Sequence, residues 1–319
     1  MSKVLVTGAL GQIGSELVPV LRSKYGKDSV FATGHVTKPP RQFRNSGPFV
    51  YLNVLDREAI AEVIMDHDID TIYHLSSILS ATGERNPQLA YEVNIGGLAN
   101  VLEVARMYKI ERIMIPSSIA VFGQETPRHD TPNNVITRPT TMYGITKVLG
   151  ELLGEYYYAK YGLDVRSVRL PGIISSETPP GGGTTDYSVE MFYKAVEGVP
   201  YTCFVRDDTV LPMMYMPDAI KAMIDLMQAD NSKLTSRVYN VTGMSFSAEQ
   251  LAASIKEIVP GFTCDYKPDY RQAIADSWPT SLDDSLARND WGWRPDFNLA
   301  TMTHHMVESL RSRLFQKQV

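Results

Sequence analysis

The stretch MYGITKVLGELLGEYYYAK holds a tyrosine four residues before a lysine twice, as Tyr143/Lys147 and as Tyr156/Lys160. A phenol and an ammonium one helical turn apart share a face and can form a proton-transfer pair. The two tyrosines point roughly 140° apart on a helix, so only one can face a given site. Context favours Tyr143. PSSIAVFG ends a strand upstream and supplies Ser117 and Ser118, on the edge where open α/β sheets bind ligands. The helix that opens after PTTMYG brings Tyr143 toward that edge. Tyr156 lies turns deeper, in the aromatic run EYYYAKYG, and reads as packing surface.

A second local pattern could bind the reactant of such a pair. TGALGQIG sets Gly8, Gly11 and Gly14, with Gln12 and Ile13 between the last two, after a strand and at the start of a helix. Glycine permits a tight turn and close approach of a diphosphate, and the helix N-terminus offers free N–H groups and partial positive charge.

These groups must be positioned by larger elements. Strand-like KVLVTG, SVFAT, FVYLNV, TIYHLS, RIMIPSS and DVRSVRL alternate with helical patterns over residues 12–25, 56–66 and 88–108 and the helix of Tyr143. Such alternation predicts a Rossmann-type, doubly wound parallel sheet with helices on both faces. After Pro171 the pattern loosens. SSETPPGGGTT is a loop by composition, and helices are expected near 187–197, 217–228, 247–257 and 298–314, with a strand at RVYNVT. The expected division is a dinucleotide-binding domain over 1–170, rejoined by segments of about 212–245, and a smaller, mostly helical substrate domain over 171–319.

Bulk properties narrow the class. The chain has 319 residues, 44% hydrophobic and 21% charged, with net charge −5. That supports a buried core and argues against a nucleic-acid binder. No run has the length of a membrane span. The N-terminus enters the strand-and-glycine pattern directly, leaving no room for a signal or transit peptide in the chain as it stands. Cys203 and Cys264 read as reduced thiols, and the six histidines are scattered, so no metal site is expected.

The spacing G-x-x-G-x-x-G, Ser118 followed by Ile-Ala-Val-Phe-Gly, and Tyr143-x-x-x-Lys147 together resemble the extended short-chain dehydrogenase/reductase family. The resemblance covers essentially the whole chain. It implies NAD or NADP held by Gly8, Gly11, Gln12, Ile13 and Gly14, by Asn53 and Val54 at the adenine, and by Leu75 and Ser76. Asn94, Tyr143, Lys147 and Pro171 complete the implied set; Asn94 reads equally well as a packing asparagine. One residue departs from the pattern. The end of strand two normally carries an acid for the adenosine ribose, and FATGHV puts Gly34 and His35 there. Lys38, Arg41 and Arg44 downstream would meet a 2′-phosphate or form a solvated loop. NAD is expected, and NADP stays open.

In the second half, PGIISSETPPGGGTTDY, LPMMYMPDA and RQAIADSWPTSLDDSLARNDWGW look like the short-chain type of L-threonine 3-dehydrogenase. That resemblance implies oxidation of L-threonine to L-2-amino-3-oxobutyrate without a metal. Ser80, Ser118, Tyr143, Thr184, Thr185 and Trp278 would hold the substrate, with Trp278 reading equally as a core residue. Ser118, Tyr143 and Lys147 would be catalytic. Lys147 and the nicotinamide charge are expected to lower the Tyr143 pKa. The resemblance also implies a homodimer through the helix of Tyr143, whose outer apolar face is read as Leu149, Leu152, Leu153 and the tyrosines; burial under the chain's own second half explains that face as well. Two other readings stay open. One is a nucleotide-sugar epimerase or dehydratase, disfavoured because Lys194 is the only basic residue between Pro171 and Pro200. The other is a non-catalytic dinucleotide sensor. The compartment would be cytoplasmic for a bacterial protein, or the mitochondrial matrix for a eukaryotic one without its transit peptide.

Overall fold

The computed structural model describes residues 2–179, 181 and 183–317. Pro180 and Gly182, in the expected substrate loop, lie outside the described residues. In chain order the strands are β1 (Val4–Thr7), β2 (Val30–Gly34), β3 (Phe49–Tyr51), β4 (Thr71–His74), β5 (Arg112–Met114), β6 (Ser117–Ser118), β7 (Asp164–Leu170), β8 (Gly172–Ile174), β9 (Tyr201–Cys203), β10 (Val210–Tyr215), β11 (Val238–Asn240), β12 (Met244–Ser247) and β13 (Cys264–Tyr266). The chain divides into two compact units. The first holds residues 1–121, 139–169 and 220–239; the second holds 122–138, 170–219 and 240–319.

The first unit carries the large sheet, ordered β11-β7-β5-β4-β1-β2-β3 with β6 beside β7. The pairings β1–β2, β2–β3, β1–β4, β4–β5 and β5–β7 are parallel. Val4–Thr7 is buried throughout, as parallel strands covered on both faces must be. The order reverses at β1, which starts the chain in mid-sheet. The carboxyl ends of β1 and β4 therefore flank the crevice where such sheets bind ligands.

Helices α1 (Gln12–Tyr25), α2 (Arg57–Asp66), α3 (Leu98–Met107) and α4 (Met142–Tyr161) cover this sheet. The expected helix over 88–108 is interrupted by a π-helical turn at Glu92–Gly97. Ile60, Val63 and Ile64 of α2 and Leu98, Val101 and Leu102 of α3 bury against Leu5, Ile72 and Ile113 of the strands. Each such side chain contributes about 1.5–3 kcal/mol. Leu153 and Tyr157 of α4 join this core. The outer face of α4 is thus narrower than expected: Ile145, Leu152 and Tyr156 are exposed, while Leu149 is half-buried.

The second unit holds β10, paired antiparallel to β12 and parallel to β8, and the parallel pair β9–β13. Helices Tyr187–Glu197, Ala248–Ile258 and Leu299–Lys317 pack on one another. The division departs from the expected boundary at 170. Segment 122–138 belongs to the second unit, because Thr131 bridges Leu282 and its carbonyl accepts from Asn240 Nδ2 at 3.0 Å. The returning segment is 220–239 rather than about 212–245. Among the described residues no helix is long and apolar enough to cross a membrane.

Candidate active site

The glycine loop follows β1. Gly8 has φ +66°, and a Cβ there would lie 2.7 Å from the Ser76 nitrogen on the β4 side. That conformation and that clearance both require glycine. A Cβ on Gly14 would lie 2.7 Å from Ala9 Cα, so Gly14 permits α1 to press on the loop. Gly11 caps α1 with no side-chain acceptor and no acid in the first turn. The first N–H groups of α1, at Gln12 and Ile13, would therefore meet an anion without a competing carboxylate. Leu75 and Ser76 are fixed beside this loop, their N–H groups donating to the Thr7 carbonyl at 3.2 Å and to Thr7 Oγ1 at 3.4 Å. The loop, the bare helix start and the adjoining β4 edge fit a dinucleotide diphosphate.

Gly34 ends β2, where a Cβ would lie 3.2 Å from both Leu10 Cδ1 and Phe49 Cζ. His35, Lys38, Arg41 and Arg44 are all exposed. Asn53 and Val54 lie in the turn beyond β3, which ends at Tyr51 rather than continuing through FVYLNV. Asn53 Oδ1 accepts from the Leu55 N–H at 3.1 Å, and the Val54 carbonyl accepts from Asn100 at 3.2 Å.

Tyr143 stands in the first turn of α4. Thr141 caps that turn, its Oγ1 accepting from the Gly144 N–H at 3.1 Å. Glu84, in the short helix Ser80–Arg85, accepts from the Met142 N–H at 2.7 Å. A carboxylate there is favourable because of the helix dipole. Gly144 allows the approach: a Cβ on it would fall on the Ala120 carbonyl oxygen. Ala120 itself donates from its N–H to Ser118 Oγ at 3.2 Å. Ser118 is thereby placed to act on the Tyr143 hydroxyl. Lys147 lies one turn on, with Nζ 5.4 Å from the centre of the Tyr143 ring, and donates to the Pro116 carbonyl at 2.9 Å.

Without the nicotinamide charge, burial governs both groups. Burial pushes the Tyr143 hydroxyl up to about 12, opposed by the Ser118 hydrogen bond. Burial likewise lowers Lys147 to about 8, opposed by the Glu151 carboxylate. Desolvation disfavours both charged forms, so in the protein alone Lys147 does not bring the tyrosine toward neutral pH.

Asn94 sits in the π-helical turn and is buried. Its Oδ1 accepts from the Ile78 N–H at 2.7 Å, and Nδ2 donates to the Ile78 carbonyl at 3.1 Å and to Thr146 Oγ1 at 3.0 Å. Asn94 therefore clamps the segment after β4 onto α4. Ser80, half-buried, begins the helix that carries Glu84. Sequence reasoning missed Glu84, Thr141, Thr146 and Glu151. Only Glu151 carried a local signal, being four residues past Lys147 on the same helical face.

The remaining candidates lie in the second unit. Pro171 joins β7 to β8. Thr184 is buried, and Thr185 lies against β8, 2.8 Å from where a Gly172 Cβ would fall. The Thr185 carbonyl accepts from the Ser188 N–H at 3.1 Å, tying the loop to the helix start. Trp278 is buried after the short helix Arg271–Asp276. Lys194 is paired with Glu197 at 2.7 Å. Cys203 and Cys264 are free thiols. Among the described residues no group of three His, Cys, Asp or Glu could hold a metal ion.

Residues 4–242 match the model of the NAD dependent epimerase/dehydratase family. The chain is 49% identical to an uncharacterized epimerase/dehydratase of Staphylococcus haemolyticus, over 98% of this chain and 99% of that protein. It is also similar to the L-threonine dehydrogenase of Phytophthora infestans, with 52% identity and TM-score 0.94 over 98% of this chain and 100% of that one. The holo form of the GalE-like L-threonine dehydrogenase of Cupriavidus necator gives 51% identity and TM-score 0.94 over 97% of this chain and 99% of that one.

Proposed function

The chain belongs to the NAD dependent epimerase/dehydratase family, and we propose that within it the protein oxidises the β-hydroxyl of L-threonine to L-2-amino-3-oxobutyrate with NAD. The observation that carries this reading is the grouping of Ser118 with the Tyr143 hydroxyl and of Lys147 one turn behind, its Nζ 5.4 Å from the Tyr143 ring centre. The identity of about half with L-threonine dehydrogenases supports the choice of substrate. Gly8, Gly11, Gln12, Ile13 and Gly14 would hold the cofactor diphosphate, with Leu75 and Ser76 alongside. Asn53 and Val54 would hold the adenine, and Lys147 the nicotinamide ribose, supported by Asn94 and Pro171. Bound there, NAD supplies the hydride acceptor.

Tyr143 takes the proton of the substrate hydroxyl. Ser118 donates a hydrogen bond to the same oxygen as it becomes a carbonyl. Lys147, as the ammonium, stabilises the tyrosinate that begins the step. Ser80, Thr184, Thr185 and Trp278 hold the amino acid. We propose a homodimer through α4, where Ile145, Leu152 and Tyr156 are exposed; sedimentation as a monomer in analytical ultracentrifugation would refute it. The compartment would be cytoplasmic if the protein, like the staphylococcal relative, is bacterial.

The test is formation of reduced nicotinamide from L-threonine, with NAD and NADP side by side and with serine and D-threonine as controls. Activity with L-threonine and NAD is expected. The second reading, a nucleotide-sugar epimerase or dehydratase, is favoured by the similarity to the uncharacterized epimerase/dehydratase of Staphylococcus haemolyticus. Its test is a rise in melting temperature with a UDP- or GDP-sugar. Against it, Lys194 is the only basic residue between Pro171 and Pro200 and is engaged with Glu197. A dinucleotide sensor is disfavoured because Ser118, Tyr143 and Lys147 are all retained.

A further inference from the structure

Helix α4 carries a third ionisable residue on the face of Tyr143 and Lys147. Glu151, one turn beyond Lys147, is 7% exposed. Its carboxylate accepts from Ser117 Oγ at 2.5 Å and from Arg169 Nε and Nη2 at 2.9 and 2.8 Å. Arg169, on β7, is buried too. Glu151 and Lys147 share the lining of a cavity of about 20 Å³ with His74, Asn94, Ser117 and Thr146. That is room for about one water. A buried ion pair adds little net stability over an apolar pair of the same shape. Stability alone therefore gives no reason for a carboxylate at this place.

We propose that Glu151 is a positioning residue for the reaction, a fixed negative charge, oriented by Arg169 and Ser117, that keeps Lys147 in its ammonium form behind Tyr143. The proposal rests on Ser118, Tyr143 and Lys147 as the catalytic set. Lys147 gains from such a partner, because burial weakens its hold on the proton, and Glu151 is the group that opposes this. The other ionisable groups around Lys147 do not supply negative charge. His74, facing the cavity from β4, is held neutral, its pKa lowered to about 3 by burial and by Lys147. Tyr143, on α4, is neutral. Arg169, from β7, is positive and engaged with Glu151. Glu155, a further turn along α4, has its pKa raised by burial and by Glu151, and does not line the cavity. Among the described residues lining the cavity, Glu151 is the only carboxylate.

Two readouts test this on the full chain. The first is the titration of the Lys147 side-chain nitrogen by 15N NMR, assigned through Lys147→Met. The second is the pH profile of L-threonine oxidation. Glu151→Gln should lower the Lys147 titration, and the alkaline limb of the profile with it, by about one pH unit or more. Glu151→Asp, which keeps the charge, should return both most of the way. Glu151→Gln strands a buried arginine, so the double variant Glu151→Gln/Arg169→Met is the second comparison. It should keep a cooperative melt and still titrate below the wild type. A Lys147 titration unchanged in both variants would overturn the proposal, even with threonine oxidation intact. A wild type inert toward threonine but with the expected nitrogen shifts would instead overturn the substrate reading and leave the role of Glu151 standing.

Discussion

Lys160 donates to the Tyr156 hydroxyl at 2.6 Å, and both lie exposed on the helix that also carries the half-buried Tyr143 and Lys147. The better-formed hydrogen bond thus belongs to the pair that faces water. Lys160 lowers the Tyr156 pKa through that bond, but a phenol in solvent has no oriented substrate to act on. Burial raises Tyr143, and the Ser118 hydroxyl opposes that rise. Tyr143→Phe is therefore expected to cost about 10²–10⁴-fold in kcat, while NAD affinity stays nearly unchanged. Tyr156→Phe should leave kcat within about twofold, the cost of a solvated pair being small. Steady-state turnover and fluorescence titration with the cofactor check both. Equal loss of turnover and affinity in Tyr143→Phe would move the site elsewhere.

The approach of α4 to the strand edge depends on Gly144. An alanine there puts its Cβ on the Ala120 carbonyl oxygen and 2.6 Å from Pro139 Cβ. The first turn must shift, and Tyr143 shifts with it. Gly144→Ala should destabilise by about 1–3 kcal/mol and reduce kcat at least about tenfold, since such reactions are sensitive to misplacement on the order of 1 Å. Gly162→Ala is the control. It replaces the left-handed C-cap of the same helix, φ 71°, and costs about 1–2 kcal/mol far from Tyr143. Melting curves and turnover together separate the two. Equal kcat loss in both variants would mean that helix stability, not placement, sets the rate.

The parts of this site that could be read from sequence are those whose chemistry is local. The glycine loop declares itself because strand, glycines and helix are contiguous. Tyr143 and Lys147 declare themselves because one helical turn joins them. Asn94 does not, because its partners Ile78 and Thr146 come from two other segments. Glu84 is likewise remote from the Met142 N–H that it caps. Segment 122–138 groups with the second unit for the same reason: Thr131 and Asn133 find Asn240 and Leu282 only after folding. The extended outer face of α4 failed differently. Leu153 and Tyr157 lie close in sequence to exposed Leu152 and Tyr156, and apolar character alone does not tell which side meets the core.

His74 gives the protein a specific acid sensitivity. It is buried, its Nδ1 bonded to Thr7 Oγ1 at 2.9 Å, with its pKa lowered to about 3. The sign follows from proton uptake. Below about pH 6.5 the unfolded histidine binds a proton that the folded one refuses, so stability falls as pH drops from about 6.5 toward 3, by up to about 1.4 kcal/mol per unit. His74→Gln has no such group and can keep the bond to Thr7. Urea midpoints from pH 7 to 4.5 should fall less steeply in the variant than in the wild type. Parallel slopes would show that carboxylates elsewhere carry the acid response.

Gly34 sets the cofactor question. An acid at the end of β2 would hydrogen-bond the adenosine ribose and repel a 2′-phosphate, and glycine does neither. The space is tight rather than closed, because the atoms 3.2 Å from a Gly34 Cβ are the ends of the Leu10 and Phe49 side chains, and no backbone atom is nearer. Gly34→Asp should therefore fold with a shift of a few tenths of an ångström in those side chains. A charge-assisted hydrogen bond contributes about 1.5–3 kcal/mol. The NADP-to-NAD ratio of KM should accordingly rise by about tenfold or more. Lys38→Ala, Arg41→Ala and Arg44→Ala test the other half of the site. If those exposed cations meet a 2′-phosphate, their loss raises KM for NADP alone, more so at low ionic strength. If they are only a solvated loop, neither KM moves, and an unchanged ratio in Gly34→Asp as well would place the ribose away from the end of β2.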